Sequence, residues 1–164
     1  MLSVTTDNPL PRALAVLSGA LTLTLMLAAC SSSEDSLTPQ ESRDALVSTI
    51  RDTAALIEGP DWAETSEPAP QECETGWATG TKYGYAYSAP RPDRDRLADV
   101  EKVAEYWESL GMDIHIDIPS GPVVYGSGGP VQSISFSTDP GDYGIGGTSL
   151  CAPGEPADED GDGE

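Results

Sequence analysis

His115 is the only histidine in the chain, and Asp113 and Asp117 flank it two positions away on either side. On a strand, residues two apart project from one face, so the three form a row that could offer metal ligands or an acid–base pair. Neighbours along such a row stand about 7 Å apart, too far to converge readily on one tetrahedral ion. The ordinary reading is the wet face of a half-buried strand. Near the carboxyl terminus, Asp158, Asp160 and Asp162-Gly163 match the first half of a calcium loop. Its second half and its closing glutamate do not follow, and a disordered acidic tail over 154–164 is the expectation. Tyr83, Tyr85 and Tyr87 alternate with Gly84 and Ala86. An aromatic stripe of this kind stacks on sugars or peptide backbones when exposed, or packs under a helix when buried. No serine sits in a Gly-x-Ser-x-Gly turn, and no helix follows Gly144-x-Gly146-Gly147 to make a phosphate loop. The expectation is no catalytic residue and no metal site, with the tyrosines as the candidate binding surface.

Charge narrows the partners. The chain has 164 residues, with 28 acidic and 8 basic side chains, a formal net charge of -20. Arg12 and Asp7 cancel before Cys30, so the whole excess lies beyond it. A body this acidic repels phosphate backbones and anionic headgroups, which excludes nucleic acid as an expected partner. The simplest role for the charge is solubility.

The amino-terminal segment reads as an address. Ala13–Ala29 is an uncharged apolar run after Arg12, closed by the small residues Ala28 and Ala29. A signal peptide needs those three features: a basic flank, a short apolar helix, and small residues for the peptidase. The alternative, an uncleaved anchor, is weakened by length. These 17 residues, interrupted by Ser18, Gly19, Thr22 and Thr24, fall short of the roughly 20 that span a bilayer. Leu27-Ala28-Ala29-Cys30 resembles the lipobox of bacterial lipoproteins. The resemblance implies cleavage before Cys30, diacylglycerol on its sulfur and membrane attachment on the extracytoplasmic face. Residues 1–29 are then the signal peptide, and 30–37 are the lipidated cysteine and a serine-rich tether. No cofactor is expected beyond that covalent lipid. Each buried methylene of an acyl chain contributes about 0.8 kcal/mol to anchoring.

With Cys30 assigned to lipid, Cys73 and Cys151 remain, an even pair in an exported body and so an expected disulfide. Two free thiols acting as a redox pair are the competing reading, but such pairs usually stand close in sequence, as in Cys-x-x-Cys.

The elements that would position these residues fill 38–153, one domain by length. Thr38-Pro39-Gln40-Glu41 is a capping box with proline at the first helical position. Leu46, Ile50, Ala54 and Ile57 then recur at helical spacing, and Gly59-Pro60 closes the pattern. Asp61 to Cys73 reads as a proline-broken loop containing Trp62. Thr81 to Ser88 alternates as a strand. Leu97, Val100, Val103, Ala104, Trp107 and Leu110 form the stripe of a second helix that Gly111 ends. Ile114, Ile116 and Ile118 alternate with the acidic and histidine row. Pro122 to Tyr125 and Val131 to Thr138 flank a glycine turn, and Tyr143 to Cys151 is the last strand. The expectation is an α+β two-layer sandwich, with two helices on one face of a mostly antiparallel sheet of four to five strands.

Over much of this body the sequence resembles small actinobacterial lipoproteins of unknown function. The shared features are the lipobox, the early helix, and a cysteine after a tryptophan-containing loop. They also include a helix ending like Tyr106-Trp107-Glu108-Ser109-Leu110-Gly111, and the closing run Gly147-Thr148-Ser149-Leu150-Cys151-Ala152-Pro153. The group implies no activity. The functional expectation is a lipid-anchored, non-enzymatic binding or structural module of the cell envelope, with an envelope protein or glycan as partner. A small hydrolase using carboxylates and His115 is the alternative.

Overall fold

The first helix begins where the capping box places it. Thr38 Oγ1 accepts from the Glu41 amide, and the Glu41 carboxylate accepts from the Thr38 amide at 2.9 Å. That hydrogen bond, to backbone first and to the Thr38 hydroxyl second, holds the Glu41 carboxyl below its usual range. The computed structural model describes residues 37–156 apart from Trp77 and Ser120. The signal segment 1–29, Cys30 with most of its tether, and the tail motif Asp158–Gly163 therefore lie outside the described residues.

In chain order the elements are α1 (Pro39–Leu56), β1 (Ala63–Thr75), β2 (Ala78–Pro90), α2 (Arg96–Ser109), β3 (Asp113–Asp117), β4 (Val123–Gly128), β5 (Val131–Thr138), β6 (Asp142–Ser149) and β7 (Ala152–Pro153). Among the described residues the fold is α+β, two helices with one antiparallel sheet. Its strands run β1-β2-β6-β5-β4-β3, and β7 adds to β2 beside Gly80 and Thr81. Strands β3 to β6 form the antiparallel meander their turn residues predict.

Three expectations about the sheet need correction. It has seven strands rather than four to five, and Asp61 to Cys73 is not a loop. Most of that segment is β1, paired to β2 along its length. Pro68 and Pro70 hide the strand from a sequence reading. They are tolerated because β1 is an edge, where a missing N–H leaves no ladder bond open. Its register shifts twice, between Glu64 and Ser66 and between Ser66 and Ala69. The last strand is also shorter than expected. It stops at Ser149, and Cys151 stands between β6 and β7.

One core joins all of this. Leu46, Ile50 and Ala54 of α1, with Ile57 at its C-cap, meet Val100, Val103, Ala104 and Trp107 of α2, with Val124, Ile134, Phe136, Tyr143 and Ile145 from the sheet. α1 packs against β2 and β6, and α2 against β3, β4 and β5. Asp95 caps α2, its carboxylate accepting from the Leu97 and Ala98 amides. Beyond the last turn, Gly111 takes a positive φ of 79°, a conformation that costs glycine little. Of the isoleucine alternation, Ile114 and Ile116 pack on the core, while Ile118 lies past the strand and is 56% exposed.

Candidate functional site

The tyrosine stripe is core, not surface. Tyr83 and Tyr85 are 3% and 2% exposed, whereas Gly84 and Ala86 on the other face of β2 are half-exposed. Bulky rings repay burial better than glycine and alanine do, and a body with a single phenylalanine must build its interior from tyrosine. The binding-surface reading therefore falls for Tyr83 and Tyr85. Only Tyr87, half-buried at the margin of the core, keeps contact with solvent.

That margin leads to a cleft. Ser42, near the start of α1, donates to Ser149, whose hydroxyl accepts from the Tyr83 amide. Nine residues on, Arg51 Nε donates to the Tyr87 hydroxyl at 3.2 Å. α1 thus runs alongside β2, and its Arg43–Val47–Arg51 row, spaced at one turn each, faces the edge strand β1. Between them opens a cleft of about 490 Å³ lined by Arg43, Asp44, Val47, Arg51, Glu64, Glu67 and Pro68.

A relay of phenols links Arg51 on one side of this cleft to Glu64 on the other. Tyr85 donates to Glu64 Oε2 at 3.0 Å, and the Tyr85 and Tyr87 rings meet edge to face with centroids 5.3 Å apart. Burial first, then hydrogen bonds with Tyr87 and Glu64, pushes the Tyr85 phenol well above its usual range. The hydrogen bond that Arg51 donates to Tyr87, followed by that to Tyr85, raises the guanidinium further. Both groups stay fixed in charge at any physiological pH. The arrangement sets Arg51 of α1 against Glu64 and Glu67 of β1 with two tyrosines between them, while Arg43 and Asp44 pair at 3.9 Å on the α1 side.

The register shifts of β1 make the negative wall. In a regular strand, residues three apart point to opposite faces. Glu64 and Glu67 nevertheless line the same cleft, because the irregular stretch between Glu64 and Ala69 re-aims the intervening side chains. Sequence reasoning missed all five charged residues. An available signal was Arg43 and Arg51, eight apart and so on one helical face. Glu64 and Glu67 carried no such signal, since their common facing depends on the irregularity.

The row around His115 is exposed on β3, the other edge of the sheet. His115 stacks on Tyr125 across the strand pair, centroids 6.3 Å apart and planes 23° from parallel. Asp113 and Asp117 stay beside it on the same strand. Among the described residues, no group of three or more histidine, cysteine or acidic side chains is placed to hold a metal. The cysteine expectation fares differently. Cys73 and Cys151 are joined, with Cα atoms 6.0 Å apart, linking the far end of β1 to the segment before β7.

A second polar cluster sits inside the molecule. Asp99, 8% exposed, accepts from Arg94 Nε at 2.8 Å and from the Tyr143 hydroxyl at 2.9 Å. Arg94 also donates to the Glu58 carbonyl. The cluster ties the start of α2 to β6 and to the segment after α1. Burial, and then its bond to Asp99, pushes the Tyr143 phenol up to about 12.

No protein-family model matches the chain, and no curated protein matches it. Among solved structures it is similar to a DUF4853 family protein from Actinomyces odontolyticus ATCC 17982. The two are 20% identical with a TM-score of 0.47, the match covering 76% of this chain and 69% of that one. A likeness at this level says nothing about activity.

Proposed function

We propose that this is a lipid-anchored extracytoplasmic protein whose folded body is a non-enzymatic binding module of the cell envelope. In this reading Cys30 carries the lipid, residues 31–37 tether the body to the outer face of the membrane, and both helices cover one face of the sheet in two layers. The partner is an envelope protein or glycan. The observation that carries the binding role is the charged cleft between α1 and β1. Among the described residues, its lining of arginines, carboxylates, Val47 and Pro68 offers recognition groups and no hydroxyl or thiol nucleophile. The Cys73–Cys151 pair suits an oxidising compartment. The sequence Leu27-Ala28-Ala29-Cys30 supports the anchor.

Location and anchoring are tested together. Cells expressing the protein are fed a fatty-acid analogue and fractionated, alongside cells carrying Cys30→Ser. The wild type should be labelled and membrane-bound, and the variant should accumulate as an unlabelled precursor. A variant that is still labelled and cut at the same place overturns the anchor. Crosslinking from intact cells with the wild type then tests the binding role. An Arg51→Gln protein that folds and captures the same partners equally well overturns the assignment of that role to the cleft.

A further inference from the structure

We infer that the cleft between α1 and β1 binds the zwitterionic form of a short peptide, its carboxylate on Arg51 and its ammonium against Glu64 and Glu67. The inference rests on the body being a binding module and gives its cleft a small ligand, beside the envelope partner proposed above. Arginine has five N–H donors in a planar fork suited to carboxylates, and two phenol oxygens do not exhaust them. Tyr87 fixes the guanidinium through Nε, so less side-chain freedom is lost when a ligand arrives. Opposite, one oxygen of Glu64 is held by Tyr85, and an ionised carboxylate retains further acceptor sites. Glu67 is exposed and makes no ion pair among the described residues.

The two walls do not neutralise each other directly at Arg51. Its contacts run to Tyr87 and Tyr85, and only through Tyr85 does the relay reach Glu64. Opposite charges kept apart by two phenols present a fixed dipole, which a ligand carrying both signs can bridge. A single amino acid holds its ammonium and carboxylate on one carbon, whereas Arg51 and Glu64 stand with the Tyr85 hydroxyl between them. Each residue of an extended peptide adds up to roughly 3.5 Å, so a di- or tripeptide sets its two charges further apart, as the two sides of the cleft are. The cleft volume of about 490 Å³ falls within the range of small-ligand sites. The irregularity of β1 is the independent structural sign, since without it Glu64 and Glu67 would not share the cleft.

The test is titration of the isotope-labelled full chain in detergent, followed by amide NMR at constant ionic strength. The probes are trialanine, N-acetyl-trialanine, trialanine amide and sodium acetate. Trialanine should shift resonances of α1 and β1 around the cleft, and capping either terminus should weaken binding at least tenfold. In Arg51→Gln, trialanine should bind about tenfold more weakly, with amidation costing nothing further. Glu67→Gln, which removes no hydrogen bond of the fold, should likewise abolish the penalty for acetylation. Equal binding of capped and free peptides, equal shifts with acetate alone, or no cleft response to 20-fold excess peptide overturns the inference. These outcomes are independent of where fractionation places the protein.

Discussion

Trp107 Nε1 donates to Thr53 Oγ1 at 2.9 Å, joining the two helices inside the core. Both residues are fully buried, and Thr53 passes the chain on by donating to the Thr49 carbonyl at 2.7 Å. A buried indole N–H deprived of its acceptor loses its full solvation. Thr53→Val keeps the shape and removes the acceptor, so it should cost about 1 to 3 kcal/mol in denaturant unfolding. Thr53→Ser keeps the oxygen and should cost less. Equal stability of the two variants would show that the bond contributes nothing.

Tyr143 gives the fold an alkaline limit. Its phenol rises from 10.0 to about 12, so below pH 10 it is neutral in folded and unfolded chains alike and its stabilisation is complete. Between about pH 10 and 12 the unfolded chain ionises first, and stability falls by roughly 2 to 3 kcal/mol. Tyr85 and Tyr106, both raised chiefly by burial, add to the same decline. Unfolding at pH 9 and pH 11.5 should show Tyr143→Phe losing less stability over that interval than the wild type. An identical loss would place the effect elsewhere.

Glycines in the sheet separate into two kinds. A Cβ on Gly126 would stand 3.0 Å from Met112 Sδ and from Trp107 Cε3, and 3.1 Å from Ile134 Cγ2. Gly126→Ala should therefore overpack the core and cost about 1 to 3 kcal/mol. On Gly146 the same atom meets Ala86 Cβ at 3.7 Å, an ordinary contact. Gly146→Ala should be neutral or stabilise by up to about 1 kcal/mol, because it restricts the unfolded chain. Thermal melts of the two variants side by side decide the point.

Loss of the cystine should be felt globally. It closes a loop of 78 residues in sequence separation, and the chain-entropy model assigns such a loop about 4 to 5 kcal/mol. Cys73→Ser or Cys151→Ser should lower the midpoint of unfolding and leave one alkylatable thiol. In the oxidised wild type, mass spectrometry should find neither of these cysteines alkylated without reductant. A freely labelled Cys73 would remove the bond.

Local signals carried the helices well. The Thr38–Glu41 box and the Asp95 cap are written within four residues, and their apolar stripes follow the period of the element. The meander was legible for the same reason, since turn residues and alternation lie side by side. Strand β1 was not legible. Pro68, Pro70, Glu64 and Glu67 look like loop residues until β2 is known to lie beside them, because pairing is a long-range fact. The cleft was lost with the strand, as two of its five charged side chains come from the irregular part of β1. The tyrosines posed a different difficulty. Alternation placed them on one face without saying which face is covered, and only helix packing decides that.

The cystine also determines how the molecule would answer a mechanical load. Pulled from its two ends, the chain between Cys73 and Cys151 cannot lengthen, so β2, α2 and the meander are shielded from tension. Force entering at the amino terminus falls on α1, whose first anchors to the sheet are the hydrogen bonds of Ser42 with Ser149 and the Leu150 carbonyl. Peeling would release the stretch from Thr38 to Cys73, roughly 120 Å of contour at full extension, and then stop at the sulfur bridge. A body with that layout yields one wall of its cleft first, then the other, and keeps the rest as a covalently closed ring.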